Sequence, residues 1–253
     1  MTERLSNIAF IQPNWPAPAH ICAYASTRLG GVSAAPYDGL NLGAHVNDST
    51  ESVRRNRDEF QAKIAMPDTL RWLNQVHGTE VAHLPYELDD VLTADASMTQ
   101  DVNQVCAVLT ADCLPLLLCD KAGTQVAAVH AGWRGLCDGV IEATIHTFAN
   151  PSEILVWLGP AIGPQHFEVG SEVREAFILQ DPQAELAFQP SLDTDSKWLA
   201  NLYVLAKQRL AAQGVNNVYG GDYCTYEDAQ RFFSYRRDGV TGRMASVIWM
   251  ATA

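Results

Sequence analysis

Two histidines and one cysteine stand in settings that suit chemistry. They are His77 in Asn74-Gln75-Val76-His77-Gly78, Cys113 in Leu109-Thr110-Ala111-Asp112-Cys113-Leu114-Pro115, and His130 in Ala128-Val129-His130-Ala131-Gly132-Trp133-Arg134-Gly135. In each segment an apolar run meets a polar residue and then a turn-former, so the reactive side chain falls at or near a strand end, where scaffolded loops build sites. Two imidazoles and a thiolate suit zinc and also copper, and three protein ligands leave the fourth tetrahedral position open. The spacings of 36 and then 17 residues match no zinc-finger or HExxH pattern. Spacing alone therefore leaves three readings open: a metal centre, a Cys113 nucleophile activated by a neighbouring histidine, or a core cysteine beside hydrogen-bonded histidines.

Other candidates surround these three. Arg134 lies just before a helix predicted from Leu136, where backbone N–H groups and the helix dipole favour a phosphate or carboxylate; the plain alternative is a solvent-facing arginine. Asp112, directly before Cys113, is placed either to orient a ligand histidine or to cap its strand. Arg28 stands in Ser26-Thr27-Arg28-Leu29-Gly30-Gly31-Val32-Ser33, and Arg236 and Arg237 follow Phe232-Phe233-Ser234-Tyr235. Each is a candidate substrate contact or a surface residue. His45, His83, His146 and His166 lack a comparable setting and are read as structural.

The elements that must position these residues are mostly strands. Short apolar runs with strand character cover Ile21 to Thr27, Leu70 to Val76, Val81 to Leu84, Val105 to Leu109, Leu114 to Cys119, Gln125 to His130, Ile154 to Leu158 and Ala245 to Met250. Helical periodicity runs from Leu136 to Phe148 and from Trp198 to Ala212, the latter stopped by Gly214, and a third helix is expected over Ser171 to Leu179. Helices are few and late, whereas strands come singly, in pairs and in succession. That pattern predicts a single-domain α/β (α+β) layered sandwich, with mixed β-sheets flanked by helices, over 1–253. A doubly wound nucleotide fold is the second choice. No repeat, low-complexity tract or linker divides the chain.

With 253 residues, 47% hydrophobic and 18% charged, the chain has ample material for a continuous core. Seventeen Lys and Arg against 29 Asp and Glu give a formal charge of -12, which repels a polyanion such as DNA. One or two arginines in a cleft would still hold a small anion. The start, Met1 to Pro16, lacks the apolar core of a secretory signal, and Val105 to Cys119 is too short to cross a bilayer. The expectation is a cytoplasmic protein whose six cysteines are thiols, with no nucleic-acid or membrane partner and monomer as the default.

Several segments in order resemble the laccase-domain, or YfiH-type, family of multicopper-oxidase-like proteins, variously named polyphenol oxidase, purine nucleoside phosphorylase and peptidoglycan editing factor. Beyond the three segments above they include Thr27-Arg28-Leu29-Gly30-Gly31-Val32-Ser33, Leu40-Asn41-Leu42-Gly43, Ala94-Asp95-Ala96, Leu158-Gly159-Pro160-Ala161-Ile162-Gly163 and Phe232-Phe233-Ser234-Tyr235-Arg236. One departure is Gly39, where the resemblance leads us to expect a small polar residue such as serine. The resemblance implies a layered α/β sandwich, distantly similar to a toxin deamidase with a Cys–His site. It also implies that the metal ligands and catalytic residues fall on His77, Cys113 and His130, with zinc as the metal and copper as the alternative. Arg28, Asn41, Asp112 and Arg134, all within the shared motifs, are the expected substrate-binding residues. The implied activity is phosphorolysis of adenosine, inosine, guanosine and methylthioadenosine, with adenosine deaminase activity, so the expected partners are purine nucleosides and phosphate. A Cys113-dependent amidase that edits a peptidoglycan precursor is the alternative. Copper-dependent phenol oxidation ranks last, because a laccase needs a histidine-rich multicopper cluster and only two of the seven histidines sit in suitable motifs.

Overall fold

A computed structural model describes residues 8–86, 91–192, 194 and 196–252. Its strands are β1 (Phe10–Ile11), β2 (Ile21–Ser26), β3 (Val81–Leu84), β4 (Ala96–Thr99), β5 (Cys106–Thr110), β6 (Leu114–Asp120), β7 (Val126–Ala131), β8 (Ile154–Leu158), β9 (Glu168–Gly170), β10 (Phe188–Pro190), β11 (Lys197–Ala200), β12 (Asn217–Gly220) and β13 (Met244–Met250). The α-helices are α1 (Thr50–Lys63), α2 (Trp133–Asp138), α3 (Val140–Ile145), α4 (Ser171–Gln180), α5 (Leu202–Ala212) and α6 (Tyr235–Asp238). One sheet has the order β1-β2-β13-β5, a second the order β12-β8-β6-β7-β4-β3, and a small third the order β10-β11-β9. The first is antiparallel throughout. The second is mixed, since β12 runs parallel to β8 and β3 parallel to β4 while the four central strands are antiparallel.

The period of two along β6 dictates the layering, because alternate side chains of a strand face opposite sides of its sheet. Leu114, Leu116 and Leu118 pack with Leu136, Ile141, Phe177 and Leu205 on the helical side. The intervening Leu117 and Cys119 meet Cys106, Val108 and Ile248 of the other sheet. That sheet's outer face, with Ala107, Leu109, Val247 and Trp249, is covered by Leu40, Leu42 and α1 through Phe60. The result is a four-layer sandwich of helix, sheet, sheet and helices. It explains why β5 through β8 read as unbroken apolar runs: both faces are buried, and each large aliphatic side chain so buried stabilises the fold by about 1.5–3 kcal/mol.

The mixed layered sandwich matches the expectation, with local differences. Leu70 to Val76 is irregular and touches a strand-like partner only at the Asn74–Thr93 bridge. The helix expected over Leu136 to Phe148 is two short ones, broken at Gly139, which takes φ 105°. The helix expected from Trp198 begins only at Leu202, capped by the Asn201 side chain, because Lys197–Ala200 is drawn into the third sheet. α1 was not anticipated: its apolar stripe is thin, with only Val53, Asn56 and Phe60 buried, and its exposed face carries the Arg54 pairs to Glu51 and Asp58. At position 39 a Cβ would lie 2.0 Å from the Arg28 carbonyl oxygen at φ 114°, so in this chain the loop is shaped for glycine and would reject serine.

Candidate metal centre

The two main sheets meet at one end in the tight turn from β5 to β6, and that turn carries Cys113. His130 follows the parity of Val126 and Ala128 along β7, so it faces the space between the sheets. The antiparallel register sets His130 opposite Pro115, two residues beyond Cys113 on the neighbouring strand. His77 arrives on the irregular segment before β3. Gln75 fastens that segment to the edge of the first sheet: its side-chain amide donates to Leu109 O (2.8 Å) and accepts from Leu109 N (2.7 Å), completing the ladder that a strand would have made.

Asp95 then sets the turn at His77. One carboxylate oxygen accepts from the Val76 and Gly78 amides (3.1 and 2.7 Å). The other accepts from the His77 amide (2.9 Å) and pairs with His130 Nδ1 (2.7 Å). These bonds hold His77 at φ 62°, a left-handed conformation costly for a residue with a Cβ. Asp95 is fully buried. Burial pushes its carboxyl up, but the His130 ring and the Gly78 and Val76 amides outweigh that and hold it below the ordinary carboxylate range. The orienting role considered for Asp112 belongs to Asp95.

One donor atom from each of His77, Cys113 and His130 lies within 4.8 Å of the others. Cys113 Sγ is 3.7 Å from His77 Nε2. Zinc–sulfur and zinc–nitrogen bonds of about 2.3 and 2.0–2.1 Å at a tetrahedral angle require about 3.6 Å between those atoms. The donor set therefore fits a divalent transition metal with one position left open. Asp95 occupies His130 Nδ1 and leaves Nε2 as the ligand nitrogen, the usual carboxylate–histidine arrangement. Gly132 permits the approach: a Cβ there would lie 2.5 Å from His77 Cδ2 and 3.1 Å from Cys113 Sγ. Burial alone would raise the Cys113 thiol, but His130 and His77 bring it down to about 6. Burial alone would lower His130, but Cys113 and Asp95 raise it to about 9. Each group thus favours the charged form of the other, and the stabilised Cys113 thiolate is the form needed for metal ligation or for nucleophilic attack.

The three side chains line a cleft of about 1200 Å³ whose walls include His45, Arg57, Arg71, Trp72, Tyr86, Tyr235 and Arg243. Arg57 lies over the Trp72 ring at 4.3 Å, and burial lowers its guanidinium to about 10, still cationic at neutral pH. Arg243 is likewise lowered by burial, and His45 by desolvation and then by Arg243 and Arg57. This cationic wall, on a chain of net charge -12, was not found from the sequence. His45, structural by its sequence setting, lies in this wall.

The four expected substrate contacts do not line this cleft. Arg28 packs over Phe233 at 4.6 Å and bonds to Asp38 and to Ala229 O, in a separate depression. Asn41 is buried, and its Oδ1 accepts from the Gly43 and Arg243 amides, so it positions the backbone of a cleft arginine. Asp112 accepts from Thr225 and Ser234 hydroxyls and from the Arg236 amide, tying the Cys113 turn to residues 225–236. Arg134 is exposed and stacks on Trp133 at 4.7 Å.

Fold and site together define a layered α/β sandwich with a two-histidine, one-cysteine centre at the floor of a cationic cleft. The chain belongs to the YfiH-type laccase-like family: the family model described as multi-copper polyphenol oxidoreductase laccase matches residues 22–251. A relative from Escherichia coli (strain K12) named purine nucleoside phosphorylase YfiH is 55% identical over 95% of this chain and 98% of its own length. A purine nucleoside phosphorylase from Haemophilus influenzae is 52% identical over 94% of this chain and 98% of its own. Among solved structures, a Neisseria meningitidis protein superposes with a TM-score of 0.91 at 48% identity, covering 96% of this chain and 99% of that one. YlmD from Geobacillus stearothermophilus gives 0.86 at 28% identity, covering 92% and 93%.

Proposed function

We propose that this protein is a zinc-dependent purine nucleoside phosphorylase that takes adenosine, inosine, guanosine and methylthioadenosine and also deaminates adenosine. The observation that carries this reading is the convergence of His77, Cys113 and His130 beneath a wall of arginines, in a chain 55% identical to a relative named for phosphorolysis. A metal held by those three residues would supply Lewis acidity at its open position. In phosphorolysis a phosphate oxygen bonds to C1′ of the sugar as the bond to the purine nitrogen breaks, through a cationic sugar. Arg57 and Arg243 would hold the phosphate and offset its charge, and Trp72 and Tyr86 offer apolar surface for nucleoside rings. Deamination adds water at C6 and releases ammonia; Asp95 keeps the His130 proton at Nδ1, so its other nitrogen faces the centre.

We take residues 1–253 as one domain acting as a cytoplasmic monomer. No helix among the described residues is long and apolar enough to cross a membrane. The second reading, a Cys113 nucleophile in an amidase acting on a peptidoglycan precursor, is favoured by the depressed Cys113 thiol. Copper-dependent phenol oxidation fits least: the two candidate ligand groups among the described residues contain three histidines in all.

Incubation of metal-analysed protein with adenosine, with and without phosphate, separates these readings. Adenine and ribose 1-phosphate formed only with phosphate support phosphorolysis, and inosine supports deamination. Failure to turn over any nucleoside, together with cleavage of a cell-wall precursor, would replace the main reading with the amidase.

A further inference from the structure

Away from this centre, His166, Cys224 and Glu227 bring a ring nitrogen, a sulfur and a carboxylate oxygen within 4.8 Å of one another. Two segments supply them, and backbone bonds join the segments. Thr225 N donates to Ala161 O (3.0 Å), and Ala161 pairs with Cys224 in an isolated bridge. The His166 ring lies against Tyr226, with centroids 4.4 Å apart and planes at 17°, which sets its direction. Cys224 Sγ accepts the amide N–H groups of Gly163 (3.2 Å) and Glu227 (3.4 Å), which fix the direction of the sulfur. His166 and Cys224 are half-buried and Glu227 is exposed, so the group opens to solvent.

Two chemistries use a thiol, an imidazole and a carboxylate. In a nucleophilic relay the ring stands between the other two and uses both nitrogens, holding sulfur and carboxylate roughly 7 Å apart. Here one nitrogen, the sulfur and the oxygen form a closed triangle instead. A triangle suits joint ligation: tetrahedral zinc requires ligand atoms about 3.3–3.6 Å apart, within reach of a rotation of the exposed Glu227 side chain. Thiolate and imidazole together select a zinc-class ion over magnesium or calcium.

We propose that His166, Cys224 and Glu227 form a second binding site, for a zinc-class divalent cation, separate from the His77, Cys113 and His130 centre. An ion there ties residues 163–167 to residues 224–227. The second segment also holds Asp112, the neighbour of Cys113, through the Thr225 hydroxyl (2.6 Å), so the two centres share one structural link.

The test is a Co2+ titration of chelator-stripped Cys113→Ala protein, following thiolate-to-cobalt charge-transfer absorption, beside zinc stoichiometry of the unsubstituted protein. Cys113→Ala should retain a saturable thiolate band at one equivalent, lost on adding Cys224→Ser. Glu227→Gln and His166→Gln, each added to Cys113→Ala and checked for fold by circular dichroism, should weaken Co2+ binding by about tenfold or more, since even outer-sphere partners of a metal site matter that much. Unsubstituted protein should reach two zinc equivalents per chain at saturation. A band absent from Cys113→Ala, a band that survives Cys224→Ser, unchanged affinity in both the Glu227 and His166 variants, or saturation at one zinc would each overturn the proposal.

Discussion

Asp95→Asn perturbs the one residue that holds His77 and His130 together. The asparagine keeps the shape and one acceptor oxygen. If that oxygen stays with His77 N and His130 Nδ1, the new NH2 faces the Val76 and Gly78 amides, which now donate at 3.1 and 2.7 Å. Two charge-assisted bonds become donor–donor contacts. At about 1.5–3 kcal/mol each, their loss sets a ceiling of about 3–6 kcal/mol, and local relaxation should bring the cost to about 3 kcal/mol. The left-handed turn at His77, unfavourable by about 1–2 kcal/mol, loses the amide bonds that hold it and should relax away from the centre. Zinc affinity should then fall by about 10–100-fold. Urea unfolding of chelator-stripped proteins reads the stability, and competition with a chromophoric chelator reads the affinity. An unchanged urea midpoint at unchanged slope, with zinc affinity within about twofold, would refute the role given to Asp95.

The remaining predictions concern the same cleft. Metal-free protein should react with a thiol reagent at Cys113 with a midpoint near pH 6 rather than near 9, the thiolate forming above that pH and protonating below it; the difference from Cys113→Ser isolates this thiol, and a midpoint above 8 would contradict the His130 and His77 influence. Gly132→Ala, whose Cβ meets His77 and Cys113, should cost about 1–3 kcal/mol by overpacking and abolish stoichiometric zinc, whereas full zinc content by elemental analysis would show that the close approach is not needed. Arg57→Met should raise the KM for phosphate by about 10–100-fold, the worth of one charge-assisted bond, while Arg28→Met changes it little; equal effects in steady-state assays would argue against the cleft as the phosphate site.

The fold was legible where burial is two-sided. β5 through β8 are apolar on both faces because they lie between the other sheet and a layer of helices or loop, so their runs stand out in composition alone. Elements with little buried surface were not legible. α1 buries three residues and stays helical with exposed ion pairs, and the short β9, β10 and β11 each send one buried apolar residue, Val169, Phe188 and Ala200, into the core. Leu70 to Val76 has the β-branched and aromatic character of a strand, yet a single side chain, Gln75, performs the edge pairing there. A periodicity argument sees side chains facing a surface; it does not see an amide standing in for a backbone.

The same distinction governs the site. His77, Cys113 and His130 stand out as candidates because each sits at the end of an apolar run beside a turn-former, but that setting leaves three readings open, and the ordered family motifs supply the expectation of a ligand set. The arginines that give the cleft its charge come from α1 (Arg57), from the loop before β3 (Arg71) and from the residue before β13 (Arg243), and none has a local setting that marks it. They meet only because the outer helix and the first sheet are stacked on the second. Arg28 and Arg134 stand out for the opposite reason: glycines flank them, but those glycines serve close packing, Gly31 against the Gly39 carbonyl and Asn56, and Gly132 against His77 and Cys113. Glycine beside a charged residue therefore marks where the backbone is crowded, and the charge that lines the cleft lies on elements whose own sequences carry no such mark. Substitution of the two sets in parallel, Arg57 and Arg243 against Arg28 and Arg134, separates crowding from binding, because only the first set should alter phosphate dependence.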